Sequence, residues 1–319
     1  MGEANSLHPL VRIAPGLYQF DTGYLRASHT AVYVIVDKGQ AAIVDTGVAH
    51  NVAPLLDALN SIGVAHAGVQ WVIPTHVHLD HAGGAGGLMQ ALPNARLGVH
   101  PSGAEHLIDP TRLEAGVRAL YGDAFFEREY APITPIEAGR VESFEDQARI
   151  AVGDRVLEVI YTPGHAWNHI SVFDAVSSTL LVGDAFGAGY PGFGQTGSPY
   201  VVPVVPPPQF NPTAYYDSLK RIADLAPAQV APAHFPLIEV VAETAEQLAA
   251  MMAAGLEQTE QAQSALDLEE RLLTQWARWL PAGVNDADYR QAYGKDIWLT
   301  AEGLWLWRCK QQAKHGEQA

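Results

Sequence analysis

The feature that most limits the possible folds of this chain is a group of metal-ligand side chains directly after an apolar segment. The run Val69–Ile73 has the length and composition of a buried strand, and positions 74–84 follow it with the sequence PTHVHLDHAGG. Residues two apart in an extended chain point to the same side, so His76 and His78 can reach one ion. The sequence therefore predicts a metal site built on a rigid strand.

Two further donors, Asp80 and His81, follow within the same six positions. A turn there, which the glycines from Gly83 onward permit, would present both to a second position nearby. Imidazole together with carboxylate suits zinc or iron better than magnesium or calcium. A polar surface loop does not account for four donors at this spacing. A dinucleotide-binding loop is excluded because Met89 stands where its third glycine should be.

The composition indicates a globular chain that disfavours nucleic acid as a partner. Its 319 residues suffice for one large domain or two ordinary ones. Its 19 basic and 35 acidic residues give a formal charge of −16, which repels phosphate backbones, and no basic patch is visible. We expect a small-molecule substrate and no nucleic acid.

The cysteine count and the lengths of the apolar runs indicate the cellular location of the protein. The single cysteine, Cys309, excludes an internal disulfide and supplies no thiolate zinc site. Residues 1–10 lack the basic and apolar regions of a signal peptide, and no apolar run of 18 residues follows. The sequence predicts a cytoplasmic protein that does not bind a membrane.

Hydrophobic patterning predicts strands and helices in a layered order. Strands are expected at residues 11–21 with a break at Pro15-Gly16, and at 30–37, 40–45, 69–73, 96–100, 133–137, 148–152, 155–161, 170–174, 179–182 and 229–231. Helices are expected at residues 52–62 after an Asn51 cap, at 86–91, within 102–130, at 212–225 after an Asn211 cap, and from 242 onward. Residues 187–208 are expected to form an irregular loop. This order predicts an α/β layered sandwich over residues 1–236 and a helical C-terminal extension over 237–319.

Four more candidate site residues stand where predicted strands end. They are His165, Asp184, His234 and Asp45. Because each follows an apolar strand, all of them can converge on one edge of a sandwich. The remaining histidines have no partner at a ligand spacing, and we expect His8, His29, His50, His66, His100, His106 and His315 to be non-ligands.

With these residues in order, the chain resembles the metallo-β-lactamase superfamily, and within it the branch that includes glyoxalase II, a thioester hydrolase. The family motif His-X-His-X-Asp-His is complete at residues 76–81, and the other family positions match those four strand-end residues. The resemblance spans about residues 11–236. It implies an αββα sandwich with two metal ions at one edge, and the helical extension lies outside it.

The resemblance also implies a role for each ligand. The first ion would be held by His76, His78 and His165, and the second by Asp80, His81 and His234. Asp184 would bridge the two ions, while Asp45 would orient a histidine ligand without touching metal. His169 is expected to support the site in the same way or to pack in the core. Two zinc ions are expected, with iron or manganese as alternatives.

The chemistry expected of such a site is hydrolysis. Asp80 and Asp184 offset part of the charge of two dications, and metals about 3.5–4 Å apart lower the pKa of a shared water from 15.7 towards about 7. The bridging hydroxide would then be the nucleophile, and no Gly-X-Ser-X-Gly elbow is present. Asp80 is a candidate to relay a proton to the leaving group.

Departures from the sequence patterns of known branches narrow the range of possible substrates. A carboxylate at Asp184 argues against antibiotic hydrolysis, and Gly187 stands where homoserine-lactone lactonases have a tyrosine, although Tyr190 follows closely. We expect a small ester, thioester or lactone. The alternatives are a mononuclear iron oxygenase that resembles persulfide dioxygenases, and a metal-bound protein that binds a partner. A nuclease is disfavoured by the charge.

Aromatic residues suggest a pocket and an interface. Near the proline-rich residues 201–208, an apolar substrate pocket could be walled by Trp167, Tyr190, Phe193 and Tyr200, although a plain connecting loop fits equally. An apolar stripe at helical spacing in the extension comprises Ile297, Ala301, Leu304 and Trp305. This stripe could pack on the sandwich, form a homodimer interface or line the pocket.

Overall fold

The computed structural model describes residues 9–316, with side chains up to residue 314. Its strands are β1 Val11–Ala14, β2 Leu17–Asp21, β3 Ala31–Asp37, β4 Gln40–Val44, β5 Val69–Ile73, β6 Arg96–Val99, β7 Val141–Ser143, β8 Arg149–Val152, β9 Arg155–Tyr161, β10 Ile170–Asp174, β11 Thr179–Gly183, β12 Ala188–Gln195, β13 Ser198–Val202 and β14 Gln229–Pro232. Its α-helices are α1 Val52–Ser61, α2 Leu79–Ala82, α3 Ala85–Ala91, α4 Pro101–Ile108, α5 Thr111–Tyr121, α6 Asp123–Glu129, α7 Pro212–Leu225, α8 Val241–Gln261, α9 Ala265–Trp276 and α10 Asp286–Gly316.

The chain divides into two compact units that interleave in sequence. The first unit contains the chain up to Tyr161 together with Ile170–Gly183. The second contains Thr162–His169 together with the chain from Asp184 onward. The expected domain boundary at residue 236 stays a prediction about the extent of the family domain.

The larger sheet of the first unit has seven strands in sequence order, β1 to β7. Strands β1 to β4 pair antiparallel, whereas β4, β5, β6 and β7 pair parallel. Because β4 and β5 are parallel neighbours, with Val44 opposite Ile73, their carboxyl ends lie at the same edge. The metal-ligand motif leaves the sheet at this edge, next to Asp45.

A second sheet in the same unit contains the antiparallel neighbours β11, β10, β9 and β8 in that order. It contacts the larger sheet through buried Arg155, which donates to the Asp174 carboxylate at 2.6 Å and to the Pro15 carbonyl. Apolar side chains of α1 and α3, among them Leu55 and Leu88, pack with the larger sheet. The α/β sandwich character expected from the sequence is confirmed.

The second unit combines the hairpin β12–β13 and strand β14 with helices α7 to α10. Trp276 is fully buried and donates its indole N–H to the Met251 carbonyl at 2.8 Å, which joins α9 to α8. The expected stripe on α10 is also buried at Ile297, Ala301 and Leu304. The helical C-terminal region is therefore confirmed, while a homodimer through it stays a prediction.

Most predicted strands are confirmed, but the strand expected at residues 133–137 is wrong. Those residues are irregular, and the Ile136 amide donates to the Leu107 carbonyl on α4. Pro132 and Pro135 lack the N–H groups that a strand needs for pairing. The sheet instead takes β7, a three-residue strand too short to show a pattern.

The irregular loop expected at residues 187–208 is also wrong, because it contains the hairpin β12–β13. Glycines at 189, 192 and 194 remove the side-chain alternation by which a strand is recognised, although their backbones still form one.

The two expected helix caps behave differently. Asn211 caps α7 as expected, because its side-chain oxygen accepts from the Ala214 amide at 2.9 Å. Asn51 does not use its side chain in this way. Its oxygen accepts from the Val48 amide at 3.0 Å and its nitrogen donates to the Thr22 carbonyl at 2.7 Å. Asn51 therefore holds the loop before α1 rather than the first turn of the helix.

Membrane spans require long apolar helices. Within residues 9–316, none combines the length and the apolar character needed to cross a bilayer.

Candidate metal centre

His76 and His78 lie directly after β5 in the first unit, with their rings in edge contact. The Thr75 hydroxyl donates to the Asp45 carboxylate at 2.9 Å, and so it accepts from Nδ1 of His76 at 3.1 Å. In a neutral ring this leaves the lone pair of His76 on Nε2. That atom lies 2.7 Å from Nδ1 of His78, so the two imidazoles converge on one point.

Asp80 and His81 lie on the short helix α2, which begins immediately after His78. Oδ2 of Asp80 is 3.6 Å from Nε2 of His81. The amide and the hydroxyl of Thr46 both donate to the His81 carbonyl at 2.7 Å, which fixes α2 against the end of β4. The motif thus presents a second pair of donors one turn away from the first.

Asp45 supports this group from the neighbouring strand end. Its backbone has φ +61°, a left-handed conformation that aspartate tolerates better than most residues. Its Oδ1 accepts from the amide of Thr75 at 2.7 Å, and its Oδ2 accepts from Nδ1 of His81 at 3.0 Å. The His81 lone pair is therefore on Nε2, the atom that faces Asp80.

Three donors meet in the second unit around Asp184. Its Oδ2 lies 3.4 Å from Nε2 of His165, and its Oδ1 lies 3.5 Å from Nε2 of His234. All three side chains are buried. Each oxygen of one carboxylate therefore faces a different imidazole.

Hydrogen bonds fix which nitrogen each nearby imidazole offers. A carbonyl can only accept, so Nδ1 of His165 donates to the Val204 carbonyl at 2.7 Å and Nε2 keeps the lone pair. His169 is engaged at both nitrogens. Its Nε2 accepts from the Asp184 amide at 3.1 Å, and its Nδ1 lies 2.9 Å from the Thr162 hydroxyl. His169 thus holds the backbone that carries Asp184.

Gly164 allows the chain to pass close to α7 just before His165. Its φ is +134°, and a Cβ at this position would lie 2.5 Å from Cα of Tyr215. Only glycine fits such a conformation and such an approach. Glycine at position 164 is therefore a local requirement of the turn that delivers the candidate ligand His165.

The donors fit divalent transition metals. Ligand atoms lie within 4.8 Å of one another for His76 with His78, for Asp80 with His81, and for His165 with Asp184. Imidazole nitrogens mixed with carboxylate oxygens in buried surroundings suit zinc, iron or manganese. Each unit thus carries its own group of histidine and aspartate donors.

The structure places the four predicted pocket residues in different surroundings. Tyr190 and Tyr200 are buried, and their hydroxyls donate to the Asp296 carboxylate at 2.7 Å and to the Trp276 carbonyl at 3.0 Å. The ring of Phe193 contacts Tyr293 edge-on, while Trp167 is half exposed. A role of these residues in substrate contact stays a prediction.

Sequence reasoning missed a tyrosine pair next to the motif. The hydroxyl of Tyr24 donates to that of Tyr130 at 2.7 Å, and Leu79 packs in the same apolar cluster. Burial raises the pKa of both phenols well above the usual value, and the charge of Asp80 adds to the effect. Tyr130 ends a polar helical segment far from the motif in sequence, so no spacing pointed to it.

The other histidines within residues 9–314 lie outside these donor groups. His29 bonds to Thr30, and His50 lies 3.0 Å from the Arg128 carbonyl. His8 and the side chain of His315 lie outside the described residues.

Comparison with known proteins gives one family match. A model described as the metallo-beta-lactamase superfamily matches residues 25–234. A metallo-beta-lactamase fold-containing protein from Sulfurisphaera tokodaii is 28% identical over 230 residues, which are 70% of this chain and 79% of that protein.

Two relatives with named activities match shorter stretches. An N-acyl homoserine lactonase from Agrobacterium fabrum is 26% identical over 170 residues, covering 48% of this chain and 59% of the lactonase. A hydroxyacylglutathione hydrolase from Hahella chejuensis is 31% identical over 157 residues, covering 48% of this chain and 46% of the hydrolase. The matches thus reach about half of the length of these two relatives.

Solved structures show a shared fold. An archaeal metallo-beta-lactamase superfamily protein from Sulfolobus tokodaii superposes with a TM-score of 0.65 at 22% identity, covering 91% of this chain and 98% of that one. A metallo-beta-lactamase family protein from Thermus thermophilus gives 0.64 at 22% identity, covering 89% and 95%. At this identity the likeness establishes the fold alone.

Proposed function

Because the chain belongs to the metallo-beta-lactamase superfamily, whose members are metal-dependent hydrolases, we propose that it hydrolyses a small ester, thioester or lactone with two bound metal ions. The resemblance inferred from the motif is thereby confirmed at the level of family and fold. The number of ions and the substrate class are the proposed part.

The observation that carries the proposal is the position of the Asp184 carboxylate between two imidazoles. Its oxygens lie 3.4 Å from Nε2 of His165 and 3.5 Å from Nε2 of His234. A carboxylate that faced a single ion would need only one imidazole partner. Two partners on opposite oxygens support a bridging role.

We assign the ligands by the family pattern. The first ion would be bound by His76, His78 and His165, the second by Asp80, His81 and His234, and both by Asp184. The family match spans residues 25–234, which include all seven positions. The geometry within each unit supports the assignment, because the known tautomers leave the lone pairs on the facing nitrogens.

The residues of the chain would divide the catalytic work. Two divalent ions, when bound, would supply an acidified water as nucleophile and polarise the substrate carbonyl. Asp45 keeps His81 in the tautomer that binds metal, and His169 holds the backbone at Asp184. Asp80 has a side chain that is 19% exposed, so it can exchange a proton with solvent and pass it to the leaving group.

The names of two relatives support the proposed substrate class. The lactonase and the hydroxyacylglutathione hydrolase are named for a lactone and for a glutathione thioester. Both substrates carry an acyl carbon bonded to an oxygen or sulfur leaving group. We propose zinc as the metal, with iron or manganese as alternatives, because histidine and carboxylate donors suit all three.

The test combines metal analysis with a screen of esters, thioesters and lactones. Protein purified without added metal should hold two divalent ions per chain, and Asp184→Asn should lose metal and at least about 100-fold in kcat. Asp154→Asn removes an exposed carboxylate and serves as the matched control. About one iron per chain with oxygen uptake on a persulfide would contradict the proposal, as would metal-loaded protein without turnover on the screen.

A further inference from the structure

A buried threonine of helix α10 contacts the segment that orients the ligand His165. Thr300 is fully buried, and its hydroxyl donates to the Pro203 carbonyl at 3.2 Å. The same hydroxyl accepts from the Val205 amide at 3.2 Å. Threonine inside a helix usually bonds back to a carbonyl of its own helix. Thr300 instead links α10 to residues 203–205.

The amide that Thr300 accepts from belongs to the same peptide group as the carbonyl that holds His165. Val204 contributes the C=O of this group and Val205 contributes its N–H. The carbonyl accepts from Nδ1 of His165 at 2.7 Å, while the N–H donates to the Thr300 hydroxyl. Because a peptide group is planar and rigid, fixing the N–H also fixes the direction of the C=O.

The bonds therefore form one continuous chain from the ligand to the helix. It runs from the His165 imidazole through the peptide of Val204 and Val205 to Thr300, and ends at the Pro203 carbonyl. Hydrogen bonds in such a chain polarise one another, which strengthens each bond. The chain holds the proton of His165 on Nδ1 and leaves the lone pair on Nε2 towards Asp184.

Gly303 permits this contact. It lies one helical turn after Thr300, and a Cβ on it would lie 1.9 Å from the Val205 carbonyl oxygen. Any side chain at this position would push α10 away from residues 203–205 and lengthen the bonds of Thr300. Gly303 thus lets α10 approach residues 203–205, and Thr300 forms hydrogen bonds to these residues.

We propose that Thr300 is a positioning residue for the metal ligand His165, and that the C-terminal helix thereby tunes metal binding. This inference rests on the proposed function, because it assumes that His165 binds a metal ion. It gives the C-terminal helices a role in the site beyond packing.

The test compares zinc affinity among threonine variants of the full chain, by competition with a chromophoric chelator. Thr300→Val keeps the shape and removes the hydroxyl, and it should weaken binding of one zinc ion by about 10-fold. Thr300→Ser keeps the hydroxyl and should retain the affinity. Thr259→Val is the matched control, because Thr259 is also fully buried in the C-terminal helices but donates only to Gly255 of its own helix.

A second readout follows the imidazole itself. In metal-free protein labelled with nitrogen-15 histidine, the NMR signal of the Nδ1 proton of His165 is assigned because it is missing from the spectrum of His165→Gln. Its exchange with water should accelerate in Thr300→Val and not in Thr259→Val. If the valine variants fail to fold, Thr300→Ala and Thr259→Ala serve in the same comparison.

The outcomes separate this inference from the proposed function. Wild-type protein that binds none of zinc, iron and manganese overturns both. Wild-type protein that binds two zinc ions, with equal affinities in the Thr300 and Thr259 variants, overturns only the role of Thr300. A His165 proton found on Nε2 in the metal-free wild type also overturns that role.

Discussion

Oδ2 of Asp45 accepts a hydrogen bond from Nδ1 of His81 at 3.0 Å, and both side chains are buried. Asp45 also accepts from the amide and the hydroxyl of Thr75, the residue before His76. One carboxylate therefore ties together two parts of the motif. Histidine ligands of metals commonly donate their second nitrogen to such a carboxylate.

Replacing Asp45 by asparagine should weaken metal binding with little loss of fold. Asparagine also tolerates the left-handed backbone at φ +61°, but its amide nitrogen cannot accept from His81. We expect a 10–100-fold lower zinc affinity, an order of magnitude typical of such supporting residues, by chelator competition. Asp21→Asn is the control, because the Asp21 carboxylate accepts from the amides of Gly23 and Ser28 and from no imidazole. Equal affinities in the two variants would contradict the role of Asp45.

Gly164→Ala should lower the free energy of unfolding strongly. The substitution combines an unfavourable φ of +134° with a Cβ placed 2.5 Å from Cα of Tyr215, and we expect a loss of about 3 kcal/mol or more. Gly192→Ala separates the two effects, since Gly192 has φ +92° and no atom within 4 Å of an added Cβ. That variant should lose about 1–2 kcal/mol. Urea denaturation gives both values, and a smaller loss at Gly164 than at Gly192 would refute the steric argument.

The tyrosine pair near Asp80 should show energetic coupling. Tyr24→Phe leaves the buried Tyr130 hydroxyl without its 2.7 Å partner, and we expect a loss of about 1–3 kcal/mol. Tyr130→Phe should cost a similar amount, and the double variant less than the sum of the two. A double-mutant cycle of unfolding free energies measures the difference. Additive losses would show that the hydroxyls do not stabilise one another.

His100 should make stability depend on pH. Its Nδ1 accepts from the Ser102 amide at the start of α4, and burial lowers its pKa, an effect that the charge of Glu145 only partly opposes. The folded protein therefore binds a proton at His100 less readily than the unfolded chain does. Stability from this residue is present above the unfolded pKa of about 6.5 and is lost as the pH falls through it towards the lower folded value.

The comparison for His100 uses His100→Asn, which keeps a side-chain acceptor for the Ser102 amide but does not titrate in this range. Wild-type protein should lose stability relative to this variant between about pH 7 and pH 5. Unfolding free energies at each pH provide the measurement. Parallel curves for the two proteins would show that His100 has an ordinary pKa.

The sequence was sufficient to predict the parts of the structure that local patterns determine. The strand Val69–Ile73 and the cap of α7 by Asn211 are local features, and both are found. The hairpin β12–β13 was not predicted, because its pairing depends on glycine backbones rather than on alternating side chains. The strand expected at 133–137 does not form, although the segment contains Ile133 and Ile136, because Pro132 and Pro135 cannot donate the hydrogen bonds that pairing requires.

Supporting contacts of the site were the least predictable from sequence. Tyr130 reaches Tyr24, and Thr300 reaches the segment at Val204, only through the tertiary fold. Neither residue has a motif of its own. The ligand motif itself was readable because a strand and a turn place its donors by geometry that spans a few residues.

The order of His165, Val204 and Thr300 along the chain determines which of their contacts can form first during synthesis. The ribosome completes His165 and Val204 well before it reaches helix α10, since synthesis runs from the N-terminus. The His165 imidazole thus emerges before Thr300, whose hydroxyl accepts from the same peptide group that accepts from this imidazole. If His165 binds metal as proposed, an ion that arrives before α10 is made would meet a ring whose supporting peptide is not yet bonded to Thr300.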